Sequence, residues 1–298
     1  MSLSPWIHAF RLRTLPLALS SVSMGGFLAA AQGKFNTTVF LLCCLTTVLL
    51  QVLSNLANDY GDTINGADHA GRQGPQRAVQ SGAITPVAMR SAILVFIAFS
   101  LASGIALLFT AFGTDVRLLL TFFGIGLLCI AAAILYTVGK KPYGYAGLGD
   151  LSVLIFFGGV GVTGTLFLFT HQLSASSLLP ALACGLFAVG VLNINNMRDI
   201  ESDRQAGKYS IPVRIGKVKA GVYHWFLLIG GLAAAVVYTV INFRSPLQFL
   251  FLLSLPLFLV IGKAVNQKPS AELDPYLRRM ALGSLLFVAL FGIGHLLS

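Results

Sequence analysis

Charge is scarce in this 298-residue chain: Asp, Glu, Lys and Arg make up 10% of it, where soluble domains carry about a quarter. With 56% apolar residues and a mean hydropathy of +0.83, the composition excludes an ordinary soluble domain and implies an integral membrane protein. Cysteine is also sparse. Cys43, Cys44, Cys129 and Cys184 all lie inside apolar runs with no CxxC spacing, so neither a disulfide framework nor a zinc site is supported. The apolar runs lack the period-two alternation of membrane strands, which excludes a closed barrel. Acids are fewer than bases, and the net charge is +10. The bases lie on segments between apolar runs rather than along one soluble module, and no recognition motif accompanies them, so nucleic acid is excluded as a partner.

What is present is hydrophobic length. Stretches long enough to cross a bilayer run over 15–31, 38–56, 88–112, 118–137, 149–169, 177–195, 220–242, 246–262 and 280–297. The expected fold class is all-α, a single transmembrane domain over 1–298 with nine spanning helices. The first span follows a basic N-terminus without a small-residue cleavage site and is read as a retained helix. If the acid-rich connections face the cytoplasm, all Lys and Arg except Lys34, Arg117 and Arg244 fall on that side. That asymmetry predicts a multi-pass protein of the bacterial cytoplasmic membrane, with its N-terminus inside and its C-terminus outside.

Six of the ten carboxylates sit in two short stretches, Asn58-Asp59-Tyr60-Gly61-Asp62 with Asp68, and Asn196 to Asp203. The stretches belong to connections at about 57–87 and 196–219, after the second and the sixth span. This placement suggests a four-helix pseudo-repeat, spans one to four matching five to eight. Asn55, Asp59 and Asp62 lie at i, i+4 and i+7, with Asn58 four before Asp62; Asn196, Asp199 and Asp203 lie at i, i+3 and i+7. Each helix end therefore presents a polar stripe, which is costly against lipid and belongs in a wet interior. Stacked carboxylates repel one another unless a cation lies between them. Mg2+, a hard ion held by one or two carboxylates and substrate phosphates, suits this pattern. The candidate metal ligands are Asn58, Asp62, Asp68, Asn196, Asp199 and Asp203, and the candidate catalytic acids are Asp59, Asp62, Asp199 and Asp203.

Basic residues follow each acidic stretch. Arg72 and Arg77 lie in a Gly- and Pro-containing loop, as do Lys208 and Arg214, which lets the loops fold back over the acids. With Lys141 they are the candidate diphosphate contacts, the arginines as planar forks and the lysines as point charges. A third polar segment, 136–150, offers Tyr136, Tyr145 and Asp150 as candidates for an acceptor pocket. Interfacial placement alone also accounts for the tyrosines, and capping of the fifth helix accounts for Asp150.

These residues resemble the UbiA superfamily of intramembrane prenyltransferases. The family's first motif, NDxxDxxxD, begins at Asn58, although Gly66 stands at its last Asp position and Asp68 comes two residues later. Its second motif, DxxxD, is met by Asp199 and Asp203. Arg13-Thr14-Leu15-Pro16, Gly74-Pro75-x-Arg77, the Pro142 to Asp150 segment and NINNMRDIESDRQAGKYSIPVRIG from Asn193 are similar to the branch that prenylates 1,4-dihydroxy-2-naphthoate in menaquinone synthesis. Leu12 replaces a Pro often found in that branch, and Lys140-Lys141 is more basic. The resemblance implies a nine-helix fold, two Mg2+ ions bridging a polyprenyl diphosphate, and prenylation of the aromatic acceptor with loss of carbon dioxide. Sibling acceptors such as hydroxybenzoate or homogentisate share the acid chemistry. A cation transporter would place its acids mid-span, and a lipid phosphotransferase of the CDP-alcohol type would carry a DGxxAR-led motif.

Overall fold

The computed structural model describes residues 4–68 and 74–298. Among the described residues, nine helices are long and apolar enough to cross a membrane. They are α1 (Ser4–Ala31), α2 (Thr37–Ile64), α3 (Pro86–Phe112), α4 (Val116–Leu135), α5 (Gly149–Thr170), α6 (Ala175–Arg198), α7 (Lys217–Ile241), α8 (Pro246–Gln267) and α9 (Asp274–Leu296). Because only α-helices satisfy every backbone group within a lipid-facing segment, this all-helical outcome follows from the hydropathy. Local chemistry sets several starts. The Asn36 side chain accepts from the Val39 amide at 3.1 Å to begin α2, Thr85 with Pro86 begins α3, and Asp115 caps α4.

Two helices depart from regular geometry. Arg11 adopts a left-handed conformation (φ 48), so a short helix Ser4–Phe10 is set off from the membrane-crossing part, Leu15–Ala31. In α5, Leu154–Gly164 is π-helical, a wide-turn geometry frequent at functional sites.

The expected span boundaries hold at most ends and fail where the acids are. The second span was expected to end at 56, yet α2 continues to Ile64. Asn58, Asp59 and Asp62 are therefore helical residues rather than loop residues. Helix continues here because the last turns are buried against protein: Leu56, Ala57, Asp59 and Tyr60 are all buried. Likewise α6 extends to Arg198, and α9 begins at Asp274 rather than near 280.

α6, α8 and α9 share one buried apolar cluster, in which Phe187 stacks on Phe258 at 4.7 Å and meets Phe287 edge-on at 4.9 Å. Such ring pairs contribute about 0.5–1.5 kcal/mol each, in a setting where van der Waals contact rather than water exclusion joins helices. Successive crossings place the end of α2, the end of α4, the end of α6 and the starts of α1 and α9 on one side, where the polar residues gather.

Candidate functional site

A cavity of about 430 Å³ descends from that polar side into the bundle. Its mouth is lined by Asn58, Asp62, Asp68, Arg77, Tyr136, Asn195, Arg198, Asp199, Asp203 and Lys208. Deeper, apolar side chains take over from α3, α4 and α5, including Leu108, Phe122, Phe156, Phe157 and Leu168. The two acidic stretches, 140 residues apart in sequence, thus share one cavity because the ends of α2 and α6 face each other across it.

Each mouth residue is held by identifiable contacts. The end of α2 lies so close to the α4–α5 connection that a Cβ on Gly61 would come within 2.6 Å of the Thr137 carbonyl oxygen. That approach lets the Thr137 hydroxyl donate to Asn58 Oδ1 at 3.1 Å, fixing which way the Asn58 amide turns. Four residues on, Asp62 accepts from the Tyr145 hydroxyl at 3.0 Å. Asp68 pairs with Arg77 at 3.3 Å. Across the cavity, Asp203 pairs with Lys208 at 3.4 Å, and the Lys208 ammonium also lies 5.8 Å from the Tyr145 ring centre. Asp199 is gripped by Arg198 through two hydrogen bonds, at 2.8 and 2.6 Å.

The electrostatics favour an added cation. Burial pushes the Asp203 carboxyl up to about 6; Lys208 opposes the rise, while Asp199 and Asp62 add to it. Burial also works against the charge on Lys208, but Asp203 and then Asp62 outweigh it and hold the ammonium above the usual lysine range. Burial, then Asp62, keeps the Tyr145 hydroxyl protonated well above its ordinary range, so it remains a donor. Carboxylates from both stretches thus press on one lysine. Asp203 Oδ2 is buried without a hydrogen-bond partner among the described residues, and Asp62 accepts from the neutral Tyr145 hydroxyl. Among the described residues no three His, Cys, Asp or Glu side chains could hold a metal ion together. An ion here would need oxygens from an anionic substrate, which is the coordination habit of Mg2+.

Several expected site residues have other positions. Asp59, 1% exposed, accepts from the Ala78 and Val79 amides, both at 3.1 Å, and so anchors the segment that carries Arg77. It lines a separate cleft with Arg11, Arg13 and Arg77. Arg214 donates to the Tyr209 and Ala146 carbonyls at 2.8 and 2.7 Å, tying two connections together. Its neighbour in that tie is Gly147, whose φ of +79 and 2.7 Å Cβ approach to the Tyr209 carbonyl admit no side chain. Asn196 is buried with its side-chain oxygen unbonded, while Asn195, rotated onto the adjacent face, lines the cavity. Asp150, in the first turn of α5, accepts from the Tyr223 hydroxyl at 2.9 Å. Lys141 is exposed on the α4–α5 connection. Arg72 lies outside the described residues.

The expectation from sequence missed Asn195, Arg198 and Asp274. The first was detectable, since Asn195 and Asp199 repeat the four-residue spacing of Asn58 and Asp62. Asp274 carried no local signal, because a lone acid before an apolar run reads as a helix start.

Comparison with known proteins identifies what the chain resembles. The model of the UbiA prenyltransferase family matches residues 18–291. A 1,4-dihydroxy-2-naphthoate octaprenyltransferase of Haemophilus influenzae is 46% identical over 99% of this chain and 96% of its own length. The Escherichia coli protein of the same name is 44% identical over 98% and 95%. Among solved structures, a UbiA homolog from Archaeoglobus fulgidus bound to DMAPP and Mg2+ superposes with a TM-score of 0.68 at 17% identity, covering 98% of this chain and 99% of that one.

Proposed function

The chain belongs to the UbiA prenyltransferase family, and on that premise we propose that it transfers a polyprenyl group from its diphosphate to 1,4-dihydroxy-2-naphthoate in a bacterial cytoplasmic membrane. The observation that carries this reading is the facing of Asp62 and Asp68 against Asp199 and Asp203 over a single apolar cavity. The names of the relatives from Haemophilus influenzae and Escherichia coli support the acceptor and make octaprenyl diphosphate the first donor to try. The basic asymmetry of the connections supports a cavity mouth that faces the cytoplasm.

In this mechanism the diphosphate rests at the cavity mouth, with Arg77 and Lys208 as its protein cations and the isoprenoid tail in the apolar depth. Asp62 and Asp203, assisted by Asn58, Asp68 and Asp199, would hold Mg2+, which neutralises the departing diphosphate and sharpens it as a leaving group. The carbon–oxygen bond breaks with its electron pair leaving on diphosphate. Asp62 is oriented by Tyr145, and Lys208 remains a full positive charge facing the leaving group. The apolar wall, with Phe156 and Phe157, keeps water from the allylic cation. The ring carbon bearing the carboxylate attacks that cation, the new carbon–carbon bond forms, and the carboxylate leaves as carbon dioxide, returning its electron pair to the ring. Tyr136 lines the cavity beside Tyr143 and in this reading would form one side of the ring's pocket.

Purified protein in nanodiscs, supplied with octaprenyl diphosphate, Mg2+ and dihydroxynaphthoate, should yield a product whose mass lacks the carboxyl group. A product with hydroxybenzoate or homogentisate and none with dihydroxynaphthoate would replace the acceptor assignment.

A further inference from the structure

Arg198 heads the large side chains that are fully buried, at 2% exposure. Adjacent residues on a regular helix point in different directions, yet Arg198 grips the very next residue. The break between α6 and the short helix Ile200–Gln205 permits this, since Asp199 sits at the junction. Nε and Nη2 of Arg198 reach the two oxygens of Asp199 as a fork, and Nη2 also donates to Asn195 Oδ1 at 3.0 Å. Its remaining nitrogen, Nη1, turns away to Oδ1 of Asp274, the first residue of α9. Asp274 Oδ2 in turn accepts from Arg13 Nη1 at 2.9 Å. The result is a row of alternating charge, Asp199, Arg198, Asp274 and Arg13, running from the cavity to the N-terminal segment. Neither Asp274 nor Arg13 belongs to an acidic stretch.

A guanidinium that forks both oxygens of Asp199 competes with any cation meant for that carboxylate. The charge of Asp274 draws part of the guanidinium's field to its other side. We propose that Asp274 is a positioning residue: by sharing Arg198 with Asp199 it sets how strongly the second acidic stretch binds its metal ion, and Arg13 limits that share by occupying Asp274 in turn. The inference rests on the metal-binding role given to Asp199 above.

The sign of two substitutions separates this role from simple structural support. Removing the charge in Asp274→Asn leaves Arg198 wholly to Asp199, and metal affinity should fall about ten-fold, the size of effect typical when a partner behind a metal ligand is lost. Removing Arg13 in Arg13→Gln leaves Asp274 wholly to Arg198, and affinity should rise about two-fold or more, as expected for an ion pair about one third exposed. Asp274→Glu should restore most of the wild-type value. The measurement is Mn2+ binding to the full-length protein in nanodiscs, read from the EPR signal of the free ion, with prenyl diphosphate present and the acceptor omitted. Opposite shifts in the two variants support the proposal. Unchanged affinity in Asp274→Asn, or weaker binding in both variants, overturns it. If the prenyl-transfer reading is itself wrong, the wild type makes no product with either substrate while the Mn2+ comparison still gives its answer.

Discussion

The two acidic stretches hold their carboxylates in opposite ways. On α2 the helix runs on through Asn58, Asp59 and Asp62, and these side chains are steadied by neutral donors: Thr137 to Asn58, Tyr145 to Asp62, and two backbone amides to Asp59; Asp68, beyond the helix end, pairs instead with a cation, Arg77. On α6 the helix breaks at Asp199, and the acids there are steadied by cations, Arg198 for Asp199 and Lys208 for Asp203. A carboxylate held by neutral donors keeps its full charge available to an incoming cation, whereas one held by a guanidinium is already partly neutralised. The comparison teaches that one half of the site is poised to attract a cation and the other to share it. It also shows an anchoring acid on each side that does not line the main cavity mouth: Asp59 secures the segment bearing Arg77, and Asp274 secures Arg198.

The hardest test of this division is removal of the acids at the mouth. Asp62→Ala should lower prenyl transfer by about 100- to 1000-fold, the scale of losing one electrostatic partner of a developing charge, and Asp199→Ala should do likewise. Both proteins should remain folded in membranes by size-exclusion and thermal-shift measurements; full activity in either would break the comparison. Asp59→Ala should instead act chiefly on stability. It strands two buried amides, a loss of about 1–3 kcal/mol each, so its Tm should fall further than that of Asp62→Ala.

Arg77→Ala comes next. It should raise KM for the prenyl diphosphate about ten-fold, as loss of uniform binding does, with KM for the acceptor unmoved. Equal changes in both would assign Arg77 to loop structure alone.

The pH profile sharpens the second half of the site. Asp203 is raised to about 6 in the folded protein from an ordinary value of 3.8. A raised carboxyl pKa means that protonation favours the fold below pH 3.8 and that this contribution is lost as pH rises through about 6. Metal binding needs the ionised form, so activity should fall as pH drops through about 6. Because Lys208 opposes the rise, Lys208→Met should move that acid limb to higher pH; a limb that stays in place would show another group governs it. The smallest effect is expected from Arg214→Ala. Its guanidinium holds two carbonyls, so KM for the diphosphate should change by less than about two-fold while thermal stability drops modestly.

Hydropathy and charge pattern were enough to determine nine spanning helices, the side on which the polar residues gather and the pairing of two acidic stretches, because lipid leaves a helix few alternatives and makes every interior charge conspicuous. Four-residue spacing marks Asn58 with Asp62, and it also marks Asn195 with Asp199, although the motif as read from sequence points to Asn196. Tertiary structure alone decided which acids face the cavity. A helix gives each residue a direction but does not say what stands opposite. Asp59 turns to amides nearly twenty residues away because the 77–79 segment folds back to it, and Arg214 is used on carbonyls supplied by another connection. Asp274 joins the site only because α9 packs beside α6 and α1. Those partners are remote in sequence, and no local pattern encodes an encounter that the packing of the whole bundle creates.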